Sequence, residues 1–571
     1  MGERKIYVAD FETRSSDEDI AKKETSVWLW DICDIETLEH ITGDSIESFF
    51  DELLKIKESI VYFHNLSGFD GQFILYYLLE NKYVFKVNNK LKTKQFSCLI
   101  DARNEMYTIR VCLNDGRRSH KKASVVEFRD SKHKINTTVK KMAEDYKLPI
   151  LKGEIDYKKN RLPGYQATEE EIAYIHNDTE IVARVLKMQY DKGMDKITSA
   201  GDTFNLYKVK CGVYFRSLFP ELPLEVDQFI RKSYRGGVCL VNEKYRNKVL
   251  EGTINVYDVN SMYPNQMCNE VLPYGHPIYE TGRLEATKIR PLYIQHIRVS
   301  CKVKEGHFPS ILIKGTLGRD YLYDTKGIME ELYLTNIDLE LMYENYDIDY
   351  DVDGNECIEY IDGYSFMGSL NLFKDYIMPL YNLKSQLPKG AERELIKILI
   401  NSLYGKFAMK TYHVMKEPFI VDERIMYGAF EGEEGKPVYT AVASFITAYA
   451  RKQLFSIINK HLDTFLYCDT DSCHLLNDTL PNELVDGKRL GAWDLEKVYV
   501  KAKYLKQKGY LGILKEGKQQ VKLAGCPDEV KESINLDNFN IGMSFVGKLL
   551  PMKVKGGVIL IDTIFTIKDK I

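Results

Sequence analysis

The segment Phe465-Leu-Tyr-Cys-Asp469-Thr-Asp471-Ser-Cys-His-Leu-Leu476 sets two carboxylates between two apolar runs, the pattern of a tight β-hairpin with acids at its tip. Bringing two like charges to one turn between buried strands is costly unless a cation sits beside them. D-x-D also occurs at Asp17, Asp347, Asp349 and Asp351, but only the copy at Asp469 has apolar strands on both sides. A hairpin cannot bury itself, and the chain has 571 residues, so several domains of ~100–200 residues are expected to surround it.

Two other segments carry polar groups in a similar setting. The run Thr253-Ile-Asn-Val-Tyr-Asp258-Val-Asn-Ser-Met-Tyr263-Pro264 is β-rich and ends on a carboxylate. A turn follows, then Pro264, which suits the first position of a helix. The N–H groups of such a turn can cradle a triphosphate. A helical stretch from Ala391 to Tyr404 aligns Arg393, Lys397, Asn401 and Tyr404 on one face, with Lys384 upstream as a further cation. An amphipathic helix with a solvated basic face is the plainer reading of that stretch alone.

The first ~190 residues alternate strand-like and helical runs, as an α/β domain does. Asp10 and Glu12 leave one face of a strand, a geometry suited to a hard divalent cation. D-x-E also occurs at Asp34, Asp178, Asp338 and Asp494, and a surface pair is the ordinary reading of any one copy. His64-Asn65-Leu-Ser-Gly-Phe69-Asp70 follows a buried-looking strand, so Asp70 falls at a strand-to-helix turn. Thr168-x-x-Glu171 reads as a capping box. On the helix it opens, Tyr174 and Asp178 project together.

Composition narrows the setting. Hydrophobic residues make up 44% and charged residues 28%, an ordinary globular balance, and the net charge of −4 leaves nucleic-acid binding to local clusters of basic residues. One such cluster runs from Lys501 to Leu523, with seven lysines and one acid. The acidic run Asp338–Glu359 holds nine acids and no Lys or Arg, and reads as a solvated face. Eleven cysteines without a C-x-x-C pair point to a reducing compartment, and no apolar run is long enough to span a bilayer. The N-terminus Met1-Gly-Glu-Arg-Lys5 runs into a strand without an apolar leader, so a protein made and used inside a cell is expected. Asp349-x-Asp351-x-Asp353-Gly354 starts like a calcium loop, but Tyr360 occupies the twelfth position, so an Asp-Gly hairpin turn is the better reading. No Gly-Lys pair is followed by Ser or Thr, which excludes a P-loop ATPase.

The ordered set D-x-E, N-x-x-x-F-D and Y-x-x-x-D resembles the three motifs of the DnaQ-like 3′–5′ exonucleases. D-x-x-S-x-Y-P, K-x-x-x-N-S-x-Y-G and Y-x-D-T-D-S resemble motifs A, B and C of family B DNA polymerases. Tyr234-Arg-Gly236-Gly237 matches the Y-x-G-G link between the two halves, and Lys508-Gly-Tyr510 matches K-x-Y. Order, spacing and length are most similar to the protein-primed branch of small tailed bacteriophages. Arg393, where close relatives carry Lys, and Ser131-Lys132, where Ser/Thr-Leu is usual, depart from that branch.

The resemblance implies an α/β and α+β multidomain protein. A ribonuclease H-like exonuclease domain (1–198) would precede a right-hand polymerase with palm (199–269 and 438–527), fingers (372–410) and thumb (528–571). Residues 270–371 would form an insertion contacting the priming protein, and 411–434 one for strand displacement and processivity. Asp10, Glu12, Asp70 and Asp178 would hold two Mg²⁺, and Tyr174 would orient the attacking water. Asp258, the Val259 carbonyl, Asp469 and Asp471 would hold two more, with Mn²⁺ able to substitute. Tyr263, Lys384, Arg393, Lys397 and Tyr404 would bind the nucleotide. Asn65, Phe69, Ser131, Lys152, Tyr234, Gly236, Gly237, Lys508 and Tyr510 would hold DNA. The partners implied are primer–template DNA, dNTPs and a terminal priming protein, and the enzyme would work as a monomer in the host bacterial cytoplasm, away from membranes. A nuclease with a merely DNA-binding polymerase half, or an inactive replication scaffold, would predict loss of Asp258, Asp469 and Asp471, and all three are present.

Overall fold

A computed structural model describes residues 4–56, 58–87, 90–114, 124–162, 164–315, 318–409, 412–413, 415–430, 433–435 and 438–569. The sequence readings that involve Met1, Gly2, Glu3 and the segment bounds Lys410 and Thr411 lie outside the described residues.

The N-terminal part is built on an eight-stranded sheet. Its centre is the wholly buried strand Ser59–Phe63, which runs parallel to both Lys5–Thr13 and Ser124–Asp130. Parallel central strands must be covered on both faces. One face packs Phe49, Phe50, Leu53, Phe73, Ile74 and Leu78 from the helices Ile46–Ile56 and Asp70–Glu80. The other packs Ile181, Val182, Val185 and Leu186 from the helix Glu169–Asp191. That helix begins at the Thr168/Glu171 capping box expected from the sequence. Leu395 and Leu399, more than two hundred residues away, join this second core and dock the basic helix on the N-terminal part.

A seven-stranded sheet organises the second half, in the order Gln519–Leu523, Gly509–Leu514, Trp493–Lys506, Val249–Val259, Ser472–Leu476, Phe465–Asp469, Cys239–Val241. The helix Thr440–Ile458, buried along nearly its whole length, is shared between the core behind this sheet and the core around Phe373, Ile377 and Phe407. A four-stranded sheet of Leu272–Thr281, Ile358–Ser369, Leu292–Val299 and Glu330–Thr335 packs beside it. The cysteines are all unpaired, and among the described residues no helix is long and apolar enough to cross a membrane.

Several local expectations need correction. Asp338 does not lie on a solvated face: it is buried, and both its oxygens accept hydrogen bonds from Arg451, itself 1% exposed, at 2.9 Å. The third arm of Arg451 donates to the carbonyls of Arg235 and Gly236 at 2.8 and 2.9 Å, so one guanidinium ties the helix Asn336–Asn345 to the Y-x-G-G segment. Pro264 is the third residue of the helix Met262–Asn269, because Ser261, at φ 56°, takes the cap position. The stretch Ala391–Tyr404 is two helices, Ala391–Asn401 and Leu403–Phe407, parted at Ser402 (φ −87°, ψ −12°).

The segment between motifs B and C forms a hairpin, Lys416–Val421 with Arg424–Ala429. Its tip is Asp422-Glu423, both at positive φ, and Gly428 lies within a strand. Two central residues at positive φ give the turn the twist that a two-residue hairpin needs. The hairpin is anchored: Ile425 is buried in the N-terminal core, and Gln72 donates to the Tyr427 hydroxyl at 2.9 Å. Lys553, from the C-terminal hairpin Ser544–Val554/Gly557–Thr566, sits 4.0 Å from the Tyr427 ring centre and donates to the Ile425 carbonyl.

Candidate active sites

Asp10 and Glu12 project from the strand Lys5–Thr13, Asp70 opens the helix Asp70–Glu80, and Tyr174 and Asp178 project from the helix Glu169–Asp191. Their electrostatics show that these groups converge. Burial, followed by the Asp178 charge, pushes the Asp10 carboxyl up to about 7. Burial and then the Asp10 charge hold Glu12 and Asp70 well above the usual carboxylate range. Burial also raises Asp178, against the pull of Lys152, whose ammonium is paired with the Asp178 carboxylate. The same ammonium lies 5.3 Å from the Tyr174 ring centre, and the Tyr174 hydroxyl shares a 2.7 Å hydrogen bond with Tyr157. Lys152 and Asp178 line a cavity of about 100 Å³ together with Asp10 and His64.

The donor set fits divalent cations. Asp70 Oδ1 and Asp178 Oδ1 are buried and accept no hydrogen bond, so each has a lone pair directed at nothing in the chain. Grouped carboxylate oxygens suit hard ions of the Mg²⁺ class.

The loop from His64 to Asp70 depends on a residue that the motif reading missed. Buried Asp130 accepts from the backbone N–H groups of Asn65 and Ser67, each at 3.0 Å. These bonds hold Asn65 at φ 86°, and Lys132 reaches its side-chain oxygen at 3.5 Å. Ser131 is wholly buried; its hydroxyl donates to the Phe63 carbonyl and meets His64 at 2.9 Å, so it shapes the site from behind and offers no surface to a strand of DNA. Phe69 is half-buried, 5.5 Å from the Phe73 ring.

The second cluster lies on the seven-stranded sheet. Asp258 pairs in register with Ser472 on one side and Asp494 on the other, which brings the end of its strand to the hairpin tip. The Val259 N–H donates to the Asp471 carbonyl at 2.8 Å. Burial and then the Asp471 charge push Asp258 up to about 7, with Glu496 and Asp494 adding to it, and burial holds Asp471 at about 6. Asp494-x-Glu496, one of the background matches in the sequence, therefore borders this cluster; only pairing with Asp258 distinguishes it. Lys508 Nζ lies 3.2 Å from Asp469. Tyr510 packs behind the hairpin against Tyr467 and His474, with ring centres 5.1 and 4.9 Å away.

Glycine is required at position 237, because a Cβ there would stand 2.5 Å from the Thr470 hydroxyl at the hairpin tip. The Thr470 N–H also donates to the Val238 carbonyl at 2.7 Å, so the Y-x-G-G segment supports the tip directly. Lys384 donates to the Ser261 hydroxyl at 3.3 Å, and its pKa is lowered by burial and then by Arg393 and Lys397, which places three cations around one space. Arg393 also donates to the Leu387 carbonyl, and Lys397 to Glu394. Tyr404, beyond the break at Ser402, meets the Tyr263 ring at 4.3 Å. Tyr234 packs at the edge of the same core.

Comparison with known proteins agrees with this geometry. Residues 51–487 match the family model of type B DNA polymerases, organellar and viral. The chain is 39% identical to the DNA polymerase of Bacillus phage Nf over 591 aligned positions, covering 99% of this chain and all of that one. It is 34% identical to the polymerase of Streptococcus phage Cp-1, covering 99% and 98%. The structure of phi29 DNA polymerase complexed with primer-template DNA superposes with a TM-score of 0.91 at 36% identity, over 99% of this chain and all of that one.

Folding raises Asp10 and Asp258 to about 7 from an unfolded value near 3.8, so between about pH 4 and 7 the folded chain holds protons that the unfolded chain has released. Without divalent ions, stability should therefore fall as pH rises through that window. Asp258→Asn should remove part of the fall and leave the chelator-treated protein more stable than wild type at pH 8. A thermal melt in which wild type and Asp258→Asn share one pH profile would contradict this.

Proposed function

The chain belongs to the organellar and viral type B DNA polymerases, and we propose that the Asp258–Asp471 cluster is its polymerising centre and the Asp10–Asp178 cluster its proofreading centre. It is a DNA-directed DNA polymerase of bacteriophage type with an associated 3′–5′ exonuclease, and it uses divalent metal. The observation that carries the assignment is the convergence of desolvated carboxylates at two separate points, with Lys152 and Lys508 in contact with them.

Each cluster takes two Mg²⁺, replaceable by Mn²⁺: one through Asp10, Glu12, Asp70 and Asp178, the other through Asp258, the Val259 carbonyl and Asp471, supported by Asp469. Paired ions, when bound, stabilise the entering and leaving oxygens of phosphoryl transfer. Around them the chain's own groups position and neutralise. Lys384, Arg393 and Lys397 gather the triphosphate charge of a dNTP. Tyr263, half-buried and braced by Tyr404, blocks a 2′-hydroxyl, and Tyr404 lies under the nascent base pair. Lys508 and Tyr510 grip the primer strand, with Tyr234, Gly236 and Gly237 guiding it between centres. Tyr174 orients the attacking water, Lys152 steadies Asp178 and the scissile phosphate, and Asn65 and Phe69 hold the frayed end, Phe69 by stacking. Residues 1–198 then form the exonuclease domain, 199–269 and 438–527 the palm, 372–410 the fingers and 528–571 the thumb. The enzyme acts on primer–template DNA as a monomer, in the cytoplasm of a bacterial host.

If the two centres are separate, Asp10→Ala with Glu12→Ala should cut degradation of single-stranded DNA by about a hundredfold or more and spare extension, while Asp471→Ala does the reverse. A folded variant that loses both activities would break the two-centre assignment. A nuclease with an inert polymerase half would show itself differently, since wild type would not extend a primer and Asp471→Ala would change nothing.

Tyr263→Val should admit ribonucleotides, because rejection by steric clash costs nothing with the correct substrate. Equal discrimination by the two proteins would rule the gate out.

The hairpin between motifs B and C, bridging the helix Asp70–Glu80 and the C-terminal hairpin, supports strand displacement and processivity. Each step forms and breaks one base-pair stack of about 1.4 kcal/mol, so the exchange is near balance once the strands are held apart. Replacing residues 411–434 by a short turn should spare extension on open template and stall it at a downstream duplex. Undiminished displacement by that variant would end the idea.

Residues 270–371 take a terminal protein whose Ser, Thr or Tyr hydroxyl primes synthesis. Phage genome ends isolated free of covalently attached protein would exclude this.

A further inference from the structure

A second set of ligating groups lies on the reverse side of the helix that carries Tyr174 and Asp178. Asp31, on the strand Val27–Asp34, pairs in register with Asp10 and its charge adds to the rise of the Asp10 carboxyl, but its own oxygens are engaged by His40 and Thr179 and not by the catalytic groups. It is wholly buried, and His40 Nδ1 lies 2.8 Å from its Oδ2. His176 Nε2 stands 3.5 Å from its Oδ1, without hydrogen-bond geometry, so both of these buried atoms are left unpartnered. The donor atoms of Asp31, His40 and His176 all fall within 4.8 Å of one another. The two imidazoles stack at 4.1 Å and are partly open to solvent, which gives an ion a way in.

The groups behind these three are arranged as supports. Thr179 donates to Asp31 Oδ2 at 2.5 Å, fixing the carboxylate. Glu180 Oε2 lies 3.8 Å from His40 Nε2, on the far side of the ring from Asp31, and Arg184 holds the other Glu180 oxygen at 2.5 Å. A carboxylate behind a ligating imidazole sets its tautomer and raises its basicity. A packing role for the cluster would leave no reason for two unpartnered buried donor and acceptor atoms to face each other.

We propose that Asp31, His40 and His176 form a site for a Zn²⁺-class divalent ion, separate from the catalytic carboxylates. Two imidazoles and one carboxylate favour Zn²⁺ over Mg²⁺ and leave a fourth position for water. The ion replaces the His40–Asp31 hydrogen bond and draws the stacked rings apart at their Asp31 edge. Because His176 lies between Tyr174 and Asp178, it clips the proofreading helix to the strands Val27–Asp34 and His40–Gly43. Its role is to position that helix, not to touch the substrate.

The test uses the full-length protein, stripped with chelator and dialysed against Zn²⁺ in excess Mg²⁺, so that Mg²⁺ fills the carboxylate clusters. Wild type and Asp10→Ala/Glu12→Ala should each retain about one equivalent of Zn²⁺ and melt at a higher temperature for it. His40→Gln and His176→Gln should lose that equivalent and the shift. Glu180→Gln should bind about 10–100-fold more weakly. Co²⁺ in place of Zn²⁺ should show visible absorption that both histidine variants lack. Wild type retaining no Zn²⁺, histidine variants retaining as much as wild type, or loss following Asp10 and Glu12 instead would each overturn the site. Glu180→Gln keeps all three ligands, so its weakened binding separates loss of the site from loss of the fold.

Discussion

Carboxylates removed from water beside one another repel, and burial alone already disfavours their charged form. This chain does so at two places, where Asp10 and Asp258 are each driven up to about 7 by burial first and a neighbouring carboxylate second. Everything around them works to hold that unfavourable arrangement. At the first, Lys152 is the nearest counter-charge, and the unpartnered oxygens of Asp70 and Asp178 mark where more positive charge belongs. At the second, the acids are carried on three adjacent strands of one sheet, with Lys508 against Asp469.

The segments around that second cluster are tied together by a node far from it in sequence. Arg451 binds Asp338 with two arms and the carbonyls of Arg235 and Gly236 with the third, all out of water. Removing one partner of such a buried pair costs about 3–5 kcal/mol, because the survivor is left charged and unpaired. The node therefore fastens the helix Asn336–Asn345, the long helix Thr440–Ile458 and the segment whose Gly237 lies against Thr470 to one another. A shift in any of the three would move the acids at the hairpin tip.

Legibility in the sequence followed the strength of local pattern. The capping box at Thr168, the apolar strands around Asp469 and the turn before Asp70 could be read because a few neighbouring residues suffice to form them. The same logic misjudged cases in which a distant partner decides. Among the D-x-E matches, Asp338 is the buried partner of Arg451 and Asp494 borders Asp258, although spacing gave no way to rank them; Asp178 was singled out only by Tyr174 four residues before it. Asp130 was missed because its work is to accept backbone N–H groups from a loop some sixty-five residues away. The hairpin between motifs B and C turns at Asp422-Glu423, where strand register and not a glycine sets the turn.

By itself the sequence determined which residue types stand at which spacings: acids inside apolar strands, Tyr and Asp four apart on one helix, cations in series before Tyr404. Those are local facts, set by side-chain periodicity along strand and helix, and they were enough to identify the family. Tertiary structure alone decided which of these groups meet, because meeting depends on strand register and helix docking between segments hundreds of residues apart. It brought Lys384, Arg393 and Lys397 around one space, turned Ser131 inward, and set His176 against Asp31 on the far side of the helix that carries Asp178.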